Sequence, residues 1–290
     1  MGCKKHYMPV ILLKRIVLLS LLFQIVMLSP EVAGAYSLTV PQILNLSIRK
    51  MGAPANLSVT QNLTVHDNPD NPEVFQETIH YKIPEQFRSD IITEDMSKIY
   101  LFSHDAAITI VNKNISSTVE DPLEYYKDPF LFQNPERLQE RLVFLGIDLA
   151  VSSLGRFKNQ LFYVIGAVYP DETRPQLWIE KESFLPTRLL ILNQFDPNRK
   201  KIIEFRYLNW MKTETAYYPM QIETYTDNML LRKIDALSVT LNSDYDDNFF
   251  NINHLKAVYP TAAPDSYGQD QTDELKDVQQ SIEDLKRRFD

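Results

Sequence analysis

The residues that could do chemistry are few and scattered. Beyond residue 35 the chain carries four histidines, His66, His80, His104 and His254, and no cysteine, because Cys3 is the only one. His66 and His80 fall on the polar faces of two successive strand-like stretches, where a hairpin would let them share a metal. Two solvated strand histidines is the simpler reading. Asp244, Asp246 and Asp247 resemble a calcium loop only loosely, with no mid-loop glycine and no closing glutamate at the right spacing; capping of the turn that carries Phe249 and Phe250 accounts for them better. Nothing matches GxGxxG, a P-loop, GxSxG, HExxH or a paired-cysteine site. Two of the seven glycines fall before residue 35, which leaves too few for phosphate-cradling loops. No nucleophile can be matched to a base. The sequence therefore predicts no catalytic residue, no metal site, no cofactor and no enzymatic activity.

Residues 1–35 read as a secretory signal. Lys4, Lys5, Lys14 and Arg15 precede the apolar run Ile16–Leu28, and Ala33-Gly34-Ala35 predicts cleavage after Ala35. The run is shorter than the roughly 20 residues that span a bilayer, so a retained membrane anchor is the lesser alternative. With no cysteine past residue 35 there is no disulfide framework, which fits a periplasmic domain held by its core. The full chain has 30 basic and 38 acidic residues. Four of the bases and one of the acids lie in the signal, leaving a net charge of −11. Nucleic acid is a poor partner for such a chain. Four N-x-S/T sequons begin at Asn45, Asn56, Asn62 and Asn114, a weak signal in so polar a composition.

The elements follow from pattern. Thr39–Met51 reads as a helix capped by Thr39, with Pro41 in its first turn and Gly52 as its stop. Leu57, Val59, Leu63 and Val65 alternate with polar residues, then Phe75, Ile79, Tyr81 and Ile83 do the same, so two antiparallel strands each have one wet face. Phe87–Thr93, Lys98–Ser103 and Ala106–Asn112 extend the meander. Asp121-Pro122 opens a short helix; Asn134-Pro135 caps a better one, with Leu138, Leu142 and Leu145 on one face and Gly146 ending it. Strands resume at Asp148–Phe157, Leu161–Tyr169, Gln176–Lys181, Phe184–Leu192 and Lys201–Trp210. Met220–Thr226 and Met229–Leu241 come last, with a bulge near Asp235. Residues 253–271 read as a polar linker and 272–290 as an amphipathic helix able to dock on its own domain, self-associate or meet a partner. One apolar face runs over at least nine strands, with few helices to cover it. A sheet of that size curls, and an acyl chain would suit the space inside.

Gln176-Leu177-Trp178-Ile179-Glu180-Lys181 and Phe184-Leu185-Pro186-Thr187-Arg188, with Tyr218-Pro219-Met220, the Asn228 turn, Leu241-Asn242 and the Asp247 to Phe249 piece, carry a likeness to a known family. Over residues 37–252 the chain resembles the bacterial outer-membrane lipoprotein-sorting proteins, the LolA/LolB-like superfamily. The resemblance implies an α+β, mainly β fold: a half-open antiparallel β-barrel, here of about eleven strands, with a helical lid over an apolar cavity. It makes 36–252 a lipid-binding domain and implies a periplasmic carrier of lipoprotein acyl chains or lipid, passing cargo between membrane-associated donor and acceptor proteins. Leu57, Val59, Leu63, Phe75, Ile79 and Tyr81 would line the cavity, with Trp178 or its neighbours Leu177 and Ile179. Leu123, Tyr126, Leu138, Leu142 and Leu145 would form the underside of the lid. The alternative is a non-enzymatic interaction or sensor module working through its sheet face or its last helix.

Overall fold

A computed structural model describes residues 38–52, 54–68, 71–193 and 201–261. The signal segment and the helix expected over 272–290 lie outside the described residues. Among those described, no helix is long and apolar enough to cross a membrane.

Thirteen strands form one antiparallel sheet among the described residues. β1 (Asn56–Val65), β2 (Glu73–Lys82), β3 (Gln86–Ile92), β4 (Ser97–Ser103), β5 (Ala106–Val111) and β6 (Asn114–Ser117) make one limb. β7 (Ser152–Phe157), β8 (Gln160–Ile165), β9 (Gln176–Glu180), β10 (Pro186–Leu192), β11 (Ile202–Lys212), β12 (Tyr217–Thr226) and β13 (Met229–Leu241) make the other. Within each limb every strand pairs with its neighbour in sequence. The limbs join where β1 pairs with β13, which leaves β6 and β7 as the two edges. Four of the hairpins turn on residue pairs with both φ positive: His104-Asp105, Asn112-Lys113, Lys158-Asn159 and Asp227-Asn228. Such turns match the strand twist and suit Asn and Asp.

Because β6 and β7 are consecutive in the chain yet lie at opposite edges, the segment between them must cross the sheet. It does so as a 3-10 turn (Pro122–Lys127), then helix α2 (Asp128–Leu131) and helix α3 (Pro135–Phe144). Each start is written in the sequence. Asp121 accepts the Leu123 N–H through its side chain at 2.9 Å, and Asn134 accepts that of Arg137 at 3.0 Å. Proline sits at the first position of both segments, where its missing N–H costs nothing. Helix α1 (Val40–Met51) starts after Thr39, the expected N-cap, whose N–H donates to Gln42 Oε1 at 2.9 Å as in a capping box, and packs against α3 and β12. Its Gly52 must be glycine: a Cβ there would lie 2.3 Å from the Thr215 carbonyl oxygen, at a φ of +81°.

Several boundaries differ from the sequence reading. The fold is the half-open mainly-β one, but with thirteen strands rather than about eleven; the short β6 is the one for which the pattern gave no strand. Residues 148–151 form a turn on the Asp148 side chain rather than the start of β7. β8 stops at Ile165 because Gly166 turns at φ +106° against Pro175. The bulge in β13 falls at Leu237, two residues past the expected place. The segment 253–271, expected as linker, begins inside a helix: α4 (Ile252–Val258) is capped by the Asn251 side chain, and Leu255 packs into the core with Phe250.

Candidate functional site

The sheet curls around one face. β2 and β12 are three strand spacings apart, about 14 Å in a flat sheet, yet the rings of Tyr81 and Tyr218 meet edge-on at 6.4 Å. The crossing segment enters the hollow so formed. Tyr126 packs against Phe87 from one limb and Phe205 from the other, at 6.2 and 6.5 Å between ring centres. Phe130 touches Tyr81, Tyr207, Trp210 and Tyr218, at 5.3 to 6.5 Å. Two aromatic side chains of the crossing segment thus bridge limbs that do not otherwise pair there.

The expected lining residues are mostly here. Leu57, Val59, Leu63, Ile79, Tyr81, Leu177 and Ile179 are buried, and strand alternation places them on the same face as Tyr81 and Phe205. Phe75 is half-buried at the end of that row. Trp178 is not among them. It points to the other face of β9, into a separate cluster with Phe162, Val164, Ala167 and Leu190, where its indole N–H donates to Gln176 Oε1 at 2.8 Å. Leu123, Tyr126, Leu138, Leu142 and Leu145 of the crossing segment are all buried.

What sequence reasoning missed is the charge inside. Gln61 and Glu77 face each other across β1 and β2 on the inner face, the amide donating to the carboxylate at 2.7 Å, and Ser89 Oγ–H donates to the same carboxylate. The signal was present: Gln61 interrupts the row Leu57, Val59, Leu63, and Glu77 interrupts Phe75, Ile79, Tyr81 at the facing position. In the crossing segment Asp128 holds Lys127 at 3.1 Å and Arg141 at 2.6 Å, and Arg141 also takes Glu120. Lys127 has no exposure, its ammonium lying 4.7 Å from the Phe102 ring and 5.5 to 5.8 Å from those of Tyr125, Phe87 and Tyr100. Glu124 meets Lys98 and Arg232 at 3.8 and 3.5 Å; burial pushes its carboxyl up, with Glu77 adding to the shift and the two cations opposing it. Burial likewise raises the phenols of Tyr81, Tyr126, Tyr207 and Tyr218, so they stay protonated. At the rim Arg137 of α3 clasps Glu85 in the β2–β3 turn at 2.6 Å and Asp105 in the β4–β5 turn at 3.1 Å.

The opposite face of the sheet is different. A cavity of about 620 Å³ opens over β10–β12, lined by Glu172, Thr173, Leu190, Lys201, Glu204 and Tyr225 among others. Most of its lining residues are polar or charged, and Arg188 and Arg206 both pair with Glu204, at 2.5 and 2.8 Å. His80 lies on this face of β2 opposite Ser58, while His66 follows β1 at its far end, so the two histidines do not meet. His80 instead packs edge-on against Tyr245 and Phe249. Among the described residues no cluster of three metal-binding side chains exists. The Asp246 side chain accepts the Asn248 N–H at 2.8 Å, as the capping reading of that acidic run requires.

These features match known folds. A LolA-superfamily protein from Nitrosomonas europaea superposes with a TM-score of 0.50 at 13% identity, over 75% of this chain and 100% of that one. The fold is LolA-like. An outer-membrane lipoprotein-sorting protein domain from Vibrio parahaemolyticus gives 0.50 at 10% identity, over 74% of this chain and 97% of that one. A DUF1329 family protein from Desulfovibrio piger gives 0.51 at 11%, over 76% and 100%. No protein-family model and no curated protein matches the sequence itself. In this LolA-like frame the crossing segment is the helical cover that the sequence resemblance implied.

Proposed function

We infer that this protein is a non-enzymatic periplasmic carrier that takes acyl chains of lipoproteins or lipids into the hollow of its sheet, beneath the crossing helices. The observation that supports it is the seating of Tyr126 and Phe130. They fill the space between the limbs with rings borne on a separate segment, one that the Arg137 clasp secures at the rim. Lifting that segment would exchange ring contacts for acyl contacts, each buried CH₂ being worth about 0.8 kcal/mol. Cargo would come from a membrane-associated donor and leave to an acceptor.

The test is native mass spectrometry of protein taken from a periplasm without detergent, followed by titration with a fluorescent fatty acid. A co-purifying lipid or acyl-peptide mass supports the carrier. Phe130→Ala should then take up more probe, whereas Val59→Glu should keep the sheet folded and abolish uptake. A second reading has its own observation: the Gln61–Glu77–Ser89 row puts polar groups on the inner face that no acyl chain can satisfy. If protein and Phe130→Ala both refuse the probe, the hollow is a packed core. The protein is then an interaction or sensor module.

A further inference from the structure

The two edges of the sheet are finished differently. At β6 the chain covers its own edge: Ile115 N–H donates to the Pro260 carbonyl at 2.8 Å, and Thr261 forms a parallel bridge with Ile115. At β7 no described strand does so. The Lys158-Asn159 turn fixes which β7 groups are spent. Phe157 and Gln160 flank it as a hydrogen-bonded pair, so Phe157, Gly155 and Ser153 bond β8, while Ser152, Leu154 and Arg156 aim N–H and C=O outward. The Tyr169 hydroxyl occupies one of these, donating to the Arg156 carbonyl at 3.0 Å. Among the described residues the groups of Leu154 have no such cover.

Side chains along this edge are apolar and basic. Leu154, Phe157 and Leu161 are 54%, 45% and 38% exposed. In a chain with 38 acidic residues, the stretch from Leu149 to Pro170 holds none, and its only charges are Arg156 and Lys158. Neither forms an ion pair among the described residues; Lys158 merely lies 5.4 Å over the Phe157 ring. Gly155 keeps the strand seated, since a Cβ there would sit 2.9 Å from Val164 and 3.1 Å from Tyr169.

We propose that the β7 edge is a docking site for an extended, acidic segment of a partner protein, which adds to the sheet as a fourteenth strand. Leu154 would supply paired backbone hydrogen bonds and an apolar contact, and Arg156 and Lys158 would select carboxylates. A second copy of this chain fits worse, because two β7 edges would bring four cations into one short ladder. A lipid surface fits worse too, because free strand-edge N–H and C=O groups cannot be satisfied in hydrocarbon.

The test uses the full chain and a fluorescein-labelled octapeptide alternating valine with glutamate and threonine, beside the same peptide with lysine for glutamate. Fluorescence anisotropy should show the glutamate peptide binding at least about tenfold more tightly. The exposed double variant R156E/K158E should invert that preference, and peptide binding should slow amide exchange at Leu154 and Arg156. Leu154→Pro removes an outward N–H without touching the β8 ladder and should lose the peptide. Equal affinity for both peptides, or unchanged exchange at those amides, would overturn the proposal. So would vesicles with anionic headgroups binding in place of the peptide with the same R156E/K158E sensitivity, or a dimer abolished by Leu154→Pro.

Discussion

The two faces of the same strands are stabilised by different means. On the inner face, residues from distant parts of the chain meet through the crossing segment: Phe87 touches Tyr126, and Tyr81 touches both Phe130 and Tyr218. Of its charges Lys127 and Asp128 are fully enclosed and Glu124 and Arg141 nearly so, each paired with an opposite charge. On the outer face the strand-to-strand contacts are local, made along one strand or between neighbours: Arg88 with Asp90, Arg188 and Arg206 with Glu204, the Arg188 guanidinium 4.5 Å over Trp178; the long-range exception is the Tyr245–Phe249 patch on His80 and Arg88. The difference teaches which face depends on global assembly. Damage inside should disturb the whole molecule, while damage outside should stay where it is made.

The sharpest way to break that contrast is Asp128→Ala. It strands Lys127 beneath the cover and leaves Arg141 with Glu120 alone, and removing one partner of a buried pair costs about 3–5 kcal/mol. Chemical denaturation should show that loss; a change under 1 kcal/mol would mean that water reaches this cluster. Glu204→Gln probes the other face and should cost about 1–2 kcal/mol. Its effect depends on pH in a defined direction. Burial works against the Glu204 carboxylate, but hydrogen bonds from Arg206 and Arg188 prevail and hold it below the usual carboxylate range. A depressed carboxylate stabilises the fold above the unfolded-state pKa near 4.5 and loses that contribution as the pH falls through the folded value. Thermal melts of Glu204→Gln should therefore be flatter than the parent's below about pH 4.5. The smallest effect belongs to His80. Burial pushes its imidazole down, Asp90 partly offsets this and Arg88 adds to it. The neutral ring is favoured in the fold, so its contribution is whole above about pH 6.5 and is lost as the pH falls below that. His80→Gln should remove that slope and free the Tyr245–Phe249 patch alone, which tryptophan-independent probes such as amide exchange would localise.

Much of the fold was legible because its signals are local. Thr39, Asp121-Pro122 and Asn134-Pro135 each start a helical segment within a few residues, and alternation gave most strands. Turns such as Asp227-Asn228 carry their own chemistry. The order of strands was not legible, since nothing near Leu57 announces that it pairs with Leu241. The orientation of Trp178 was hidden by its neighbours: Gln176, Leu177, Trp178 and Ile179 are all buried, so β9 has no wet face and no alternation to read. Inside, the polar places at Gln61 and Glu77 were visible as interruptions, but their meaning needed the pairing that sets them opposite each other. Nothing in the sequence sets Lys127, Asp128 and Arg141 apart from other helix charges; their burial follows from the segment's path through the sheet's hollow.

The pairing of β1 with β13 also governs how the molecule can be made. Every other junction in the sheet joins strands adjacent in the chain, so each limb can zip from hairpin to hairpin as it emerges. Leu57 must wait for Leu241, and pairings of such long sequence separation are slow to form. While the chain is being made the N-terminal limb therefore exists for a time with β1 as a raw edge, its alternating apolar row open to any strand that passes. A chain halted before Met229 would be left in that condition permanently: two meanders without a seam, and an aggregation hazard rather than a smaller folded protein.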